Sequence, residues 1–135
     1  MQVTLALLAD YANVTAEGKL NILGIFDRIT VQELPAVHTQ MHLVLRLEAA
    51  AADQNRSHNV EIRLQDPEGR SVLDVRGDLV PHSVPGRTSA TNQILTFNNV
   101  QLNRAGSHAF VVRVDGAIRA EVPLGVEVAP SGPAN

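Results

Sequence analysis

Gln40-Met41-His42-Leu43-Val44-Leu45-Arg46-Leu47-Glu48 sets the architecture of the chain. Met41, Leu43, Leu45 and Leu47 recur at every second position, while Gln40, His42, Arg46 and Glu48 fall between them. Successive side chains leave a strand on opposite sides, so a period of two marks a strand with one face in a core. Asn59 to Gln65 repeats the pattern, with Val60, Ile62 and Leu64 inward and Glu61, Arg63 and Gln65 outward. Asp66-Pro67-Glu68-Gly69 follows; proline presets φ and glycine allows φ > 0, which predicts a reversal. Ser71 to Leu79 is then the return strand, with Leu73, Val75 and Leu79 as its apolar set.

Working outward, Ala109 to Val114 and Ala117 to Val128 flank Asp115-Gly116, a pair suited to a type I′ hairpin turn. Pro123 points to an edge strand or a break in the second of these. Near the start, Thr15-Ala16-Glu17-Gly18-Lys19 separates a strand from Val3 to Ala9 from a long one, Leu20 to Val31, in which Gly24 marks a bulge or bend. Ala49 to Arg56, Val80 to Asn92 and a tail from 129 to 135 are irregular, with one helical turn available to Ala49-Ala50-Ala51-Ala52. No segment holds a helical stripe. About eight strands with short turns predict an all-β fold, a two-sheet antiparallel β-sandwich, as one domain over residues 1–128.

Composition narrows the chemistry. The chain has 135 residues, no cysteine and no tryptophan, and its net charge is -3. A chain of this length buries roughly two thirds of the surface it exposes when unfolded, so it needs no staples. Without cysteine there is no disulfide framework, thiolate nucleophile or cysteine-ligated metal. No apolar run approaches the roughly 18 to 20 residues of a membrane helix, and the opening residues lack the positive start of an export signal, so a cytoplasmic location is expected. Lys19 is the only lysine, and the arginines are spread singly from Arg28 to Arg119, with no basic patch for phosphates.

Few residues offer chemistry. His38 and His42 have metal-ligand spacing on a helix, but on a strand they stand about 13 Å apart at about 3.3 Å per residue. His58, His82 and His108 lie on separate elements, and His82 beside Ser83 has no nucleophile elbow to hold it. Asp66 and Glu68 read as turn residues, and Asp74 and Asp78 as a solvated strand face. Arg76-Gly77-Asp78 spells an adhesion tripeptide but falls inside a predicted strand. No metal and no cofactor is expected. Phe26, Phe97 and Phe110 belong to apolar strands, which leaves Tyr11, among Asp10, Asn13 and Thr15 in the turn after the first strand, as the one ring in a polar setting.

Two resemblances follow. Leu95 to Val114, followed by Asp115-Gly116, looks like the last third of an immunoglobulin-like domain. Such domains place a tyrosine at the corner entering the penultimate strand; Leu102 and Gly106 fit that corner and His108 stands in for the tyrosine. Leu8-Ala9-Asp10-Tyr11-Ala12-Asn13-Val14, continuing through Gly18-Lys19-Leu20-Asn21-Ile22 to Gly24-Ile25-Phe26-Asp27, resembles the opening of an uncharacterised bacterial family of short proteins. That resemblance implies a β-sandwich of unknown function and carries over no catalytic residue.

The functional expectation is a non-catalytic interaction or structural module with a protein partner or self-association, and with nucleic acid and membrane set aside. Its motive is Leu20 to Phe26, where both faces carry large apolar side chains that a two-layer sandwich covers only with a loop, a tail or another subunit. The alternative is a small-molecule binder or enzyme whose site gathers Asp10, Tyr11 and Asn13 with the Pro81 to Arg87 loop at one end of the sandwich. Against it, Tyr11 can simply fold back as a cap on the sandwich edge.

Overall fold

The computed structural model describes residues 1–82, 85 and 89–130. Among them nine strands run in chain order: β1 (Gln2–Val14), β2 (Leu20–Phe26), β3 (Arg28–Val31), β4 (Ala36–Ala49), β5 (His58–Gln65), β6 (Ser71–Leu79), β7 (Ser89–Leu102), β8 (Gly106–Val114) and β9 (Ala117–Val128). The crossover from β4 to β5 carries a single 3-10 turn, Ala51–Asp53. A first sheet has the order β2-β1-β4-β7 and a second the order β3-β9-β8-β5-β6. Their inner faces meet in one core, as the alternation predicts, and Met41, Leu43, Leu45 and Leu47 all lie in it with Leu64, Phe110 and Leu124. Phe97 from one sheet stacks on Phe110 from the other at 5.4 Å.

The ninth strand arises because Leu20 to Val31 is two strands. The chain leaves the first sheet after Phe26 and enters the second at Arg28, where β3 runs parallel to β9, the one parallel pairing among the described residues. Asp27 is the crossing point, and its carbonyl accepts from Gly125 N–H at 2.8 Å. Pro123 sits where β9 has only β8 beside it, since β3 pairs with β9 from Gly125 onward. A missing N–H costs nothing at such a local edge. Asp115 and Gly116 both have positive φ, 52° and 83°, as a type I′ turn requires. His108 is buried at the start of β8, its Nδ1 3.2 Å from the Gly106 carbonyl.

The outer face of the first sheet is covered by the chain itself. β1 pairs with β4 only as far as Ala9 opposite His42, whereas its pairing with β2 continues to Val14 opposite Leu20. Beyond Asp10 the β1–β2 hairpin therefore leaves the sheet, and it turns back over the outer face. β1 touches β7 although β4 separates the two in the sheet, and Asn92 Nδ2 on β7 donates to the Gly18 carbonyl at the hairpin tip at 3.2 Å. Gly24, opposite Asp10, has φ +70°, and a Cβ there would lie 2.5 Å from Asp10 Oδ2. Only glycine fits such a bend without strain. Val44 and His42, which point away from the core, are both buried, and Ala9 and Ala12 are buried with them outside the core cluster.

This arrangement corrects the reading of Leu20 to Phe26 as a strand buried on both faces. Leu23 and Ile25 are each 64% exposed. The strand is an edge, and its hairpin is the cover rather than the surface in need of one.

Candidate functional site

Where β6 and β7 form the side of the sandwich, the two inner faces part and leave an apolar crevice of about 100 Å³. Leu45 and Leu47 of β4, Ile62 of β5, Val75 and Leu79 of β6 and Leu95 of β7 line it, with Arg76, Asp78 and Gln93 at the rim. Its origin is local. Val75, Gly77 and Leu79 alternate with Asp74, Arg76 and Asp78 along β6, so Gly77 faces inward at a position that an apolar side chain would normally fill. A Cβ at Gly77 would meet nothing within 4 Å, and Val75 beside it remains 37% exposed. A wider hollow of about 300 Å³ lies on the opposite side, lined by Ala6, Leu8, Phe26 and Val122 among others. The tripeptide Arg76-Gly77-Asp78 lies inside β6, as its strand alternation predicts.

Asp10, Tyr11 and Asn13 lie on β1 rather than in a turn, because the strand continues five residues beyond Ala9 as part of the folded-back hairpin. The Tyr11 ring is half exposed and meets His42 edge-on at 5.5 Å. His42 Nδ1 is 3.0 Å from the Asp10 carbonyl, which pins the hairpin at its bend. Asn13 Oδ1 accepts from Asn21 Nδ2 across the hairpin at 3.0 Å. None of the three residues lines either hollow. Of the loop expected to join them, only Pro81, His82 and Pro85 are among the described residues; Ser83, Val84, Gly86 and Arg87 lie outside.

At one end of the sandwich a third cluster surrounds His58, a residue whose sequence context gives no hint of its role. The ring is 2% exposed. Its Nδ1 is 2.6 Å from Asp115 Oδ2 and its Nε2 is 2.7 Å from the Asp53 carbonyl. Asp115 Oδ1 accepts the Asn59 N–H at 3.0 Å, and Asp115 N–H donates back to the Asn59 carbonyl at 2.8 Å. The hydrogen bond to Asp115, then the one to the Asp53 carbonyl, raises the His58 pKa above its ordinary value. The same bond to His58, with the Asn59 N–H, lowers that of Asp115. His58 opens β5 and Asp115 sits in the β8–β9 turn, and that hairpin brings the second within reach of the first.

Among the described residues no histidine meets a serine or threonine hydroxyl, and no three His, Asp or Glu side chains group closely enough to share a metal ion. No described helix is long and apolar enough to cross a membrane.

Comparison with known proteins bears on the fold. A similar architecture occurs in the Pseudomonas fluorescens alkylpurine DNA glycosylase AlkC bound to DNA containing an abasic site analog, with a TM-score of 0.54 and 10% sequence identity. The match covers 93% of this chain and 30% of that one, so the chain spans less than a third of the glycosylase, and the likeness is one of fold alone. It overturns the expectation of a protein partner or self-association with nucleic acid set aside. This architecture occurs in a protein held on DNA, so it gives no ground for setting nucleic acid aside. The case for a second subunit rested on Leu20 to Phe26, which is an edge strand of a hairpin that itself covers the sheet. No functionally curated protein matches the chain. The model of a family of unknown function (DUF6941) matches residues 4–127, and the chain belongs to that family.

Proposed function

We propose that this protein is a non-catalytic binding module that takes a small apolar group into the crevice between β6 and β7. The observation that carries the reading is the inward-facing Gly77, which leaves the side of the core open at an edge strand where Val75, Leu79 and Leu95 are only partly covered. An apolar cavity of about 150 Å³ holds a benzene, and complete pockets for drug-sized ligands run to roughly 300–1,000 Å³. A crevice of about 100 Å³ therefore takes a short aliphatic chain, or the apolar end of a larger molecule whose remainder stays in water.

Methyl-resolved NMR with straight-chain alcohols tests this. Saturable shifts are expected at Leu45, Leu47, Ile62, Val75 and Leu79, with affinity rising by about 0.8 kcal/mol per added methylene until the space is full. Gly77→Val puts a side chain into the crevice on an ordinary strand backbone; it should keep or raise stability and abolish the shifts. Shifts that survive in Gly77→Val, or that centre on Asp10, Tyr11 and Asn13, would overturn the assignment.

A further inference from the structure

We propose that His58 is a pH-sensitive clasp: with both ring nitrogens protonated it ties the β4–β5 crossover to the β8–β9 turn, and loss of one proton frees the crossover. The inference is independent of the crevice and of any ligand.

The geometry fixes the proton count. A backbone carbonyl has no proton to give, so Nε2 must donate to the Asp53 carbonyl at 2.7 Å. Asp115 accepts the Asn59 N–H on its other oxygen and is half exposed, the setting of an ordinary carboxylate, so Nδ1 must donate as well at 2.6 Å. Both contacts hold only in the imidazolium. A neutral ring keeps one N–H and turns a lone pair on the remaining oxygen, and two lone pairs at such a distance repel. The carboxylate is the stronger acceptor and retains its proton donor, so the contact that opens is Nε2 with the Asp53 carbonyl.

What opens with it follows from burial. The 3-10 turn buries no residue, and Ala51, Ala52, Asn55, Arg56 and Ser57 are exposed, so no apolar anchor holds the crossover. Its ties are polar, among them the Asp53 carbonyl to His58, Asn55 N–H to the Pro81 carbonyl at 2.7 Å, Ala50 N–H to Asp53 Oδ2 at 3.2 Å and Gln54 Nε2 to the Ala49 carbonyl at 3.5 Å. The charged groups that face the ring, among the described residues, are Asp115 from the β8–β9 turn and Asp53 from the 3-10 turn, whose carboxylate also accepts from the Met1 amino group at 2.7 Å. Arg56, on the crossover, adds its charge to those around Asp115. Both carboxylates favour the imidazolium, so the ring gives up its proton only above the usual histidine range. Below that point the clasp is closed; as pH rises through it the clasp opens.

Nitrogen NMR of the imidazole together with amide exchange decides the matter. At pH 6 both ring nitrogens should carry protons, with a midpoint above the ordinary value of about 6.5. Across that midpoint, amides of residues 51–57 should exchange roughly tenfold faster after correction for intrinsic base catalysis, while those of β4 and β7 hold steady. Asp115→Asn keeps a residue that tolerates positive φ in the turn but removes the anion; the midpoint and the exchange step should fall together. His58→Gln, which does not titrate, should show no step and serves if the first variant fails to fold. A singly protonated ring at pH 6, or an exchange step absent from the parent or unmoved in Asp115→Asn, would overturn the clasp.

Discussion

On the first sheet, the outward side of β4 carries Val44, fully buried beneath a hairpin of its own chain; on the second, the outward sides of β5 and β6 carry Glu61, Arg63, Asp74 and Arg76. Arg63 Nη2 lies 3.2 Å from Asp74 and 3.4 Å from Glu61, and Arg76 reaches the same two carboxylates at 3.8 Å. One outer face is dry and covered, the other wet and cross-linked by charge. The difference teaches what each face tolerates. Covering Val44 removes apolar area from water but depends on a hairpin whose few buried residues are Ala9 and Ala12 near its bend. The ionic face needs no cover, because its charges pair with one another while staying partly hydrated, and a strand edge lined with charge resists pairing with other chains.

Two valines give the sharpest test, since both are buried on outer faces: Val44 on the first sheet and Val111, between Arg63 and Glu121, on the second. Val44→Asp places an uncompensated charge beneath the hairpin and should cost about 3–5 kcal/mol, the range for a buried charge left without a partner. Val111→Asp brings a carboxylate beside Arg63, whose buried Nε has no hydrogen-bond partner in the structure. That pairing should offset much of the penalty and keep the loss near 1–2 kcal/mol. Equal losses in urea denaturation would mean that the two faces do not differ in the way the geometry requires.

Gly24→Val attacks the cover at its bend. A β-branched residue at φ +70°, with its Cβ driven against Asp10, should cost about 2–3 kcal/mol and speed amide exchange in residues 10–24 ahead of the core. Gly24 also shows how far the sequence was legible. The glycine within Leu20 to Val31 does mark a bend, yet nothing in the linear order says that the bend folds the hairpin onto the sheet, because that depends on Asn92, 74 residues from Gly18. Much of the core is readable from period two, and Ser71 to Leu79 and Ala117 to Val128 match β6 and β9 at both ends, but Ser89 to Asn92, read as irregular, open β7. Asp10, Tyr11 and Asn13 read from sequence as a turn after the first strand, whereas pairing with β2 holds all three in β1. The crevice and the His58 cluster left no local trace. One depends on an inward glycine whose partners come from four strands, the other on a carboxylate 57 residues away.

The smallest effect belongs to the ionic face. Arg76 is mostly exposed, and both of its carboxylate partners are also held by Arg63 at shorter range. Arg76→Ala therefore removes the weaker half of a shared pairing and leaves no charge stranded, so the cost should stay within about 0.5 kcal/mol. What remains of it should vanish at high salt, because exposed pairs are screened over roughly a Debye length. The comparison sharpens if Arg63→Ala, measured alongside, costs two to three times as much and keeps most of that cost in salt. Arg63 is the less exposed of the two, and its loss would leave Glu61 and Asp74 facing each other with only the distant Arg76 between them. Identical salt-sensitive losses for the two arginines would show instead that this face is a loose surface atmosphere rather than an ordered network.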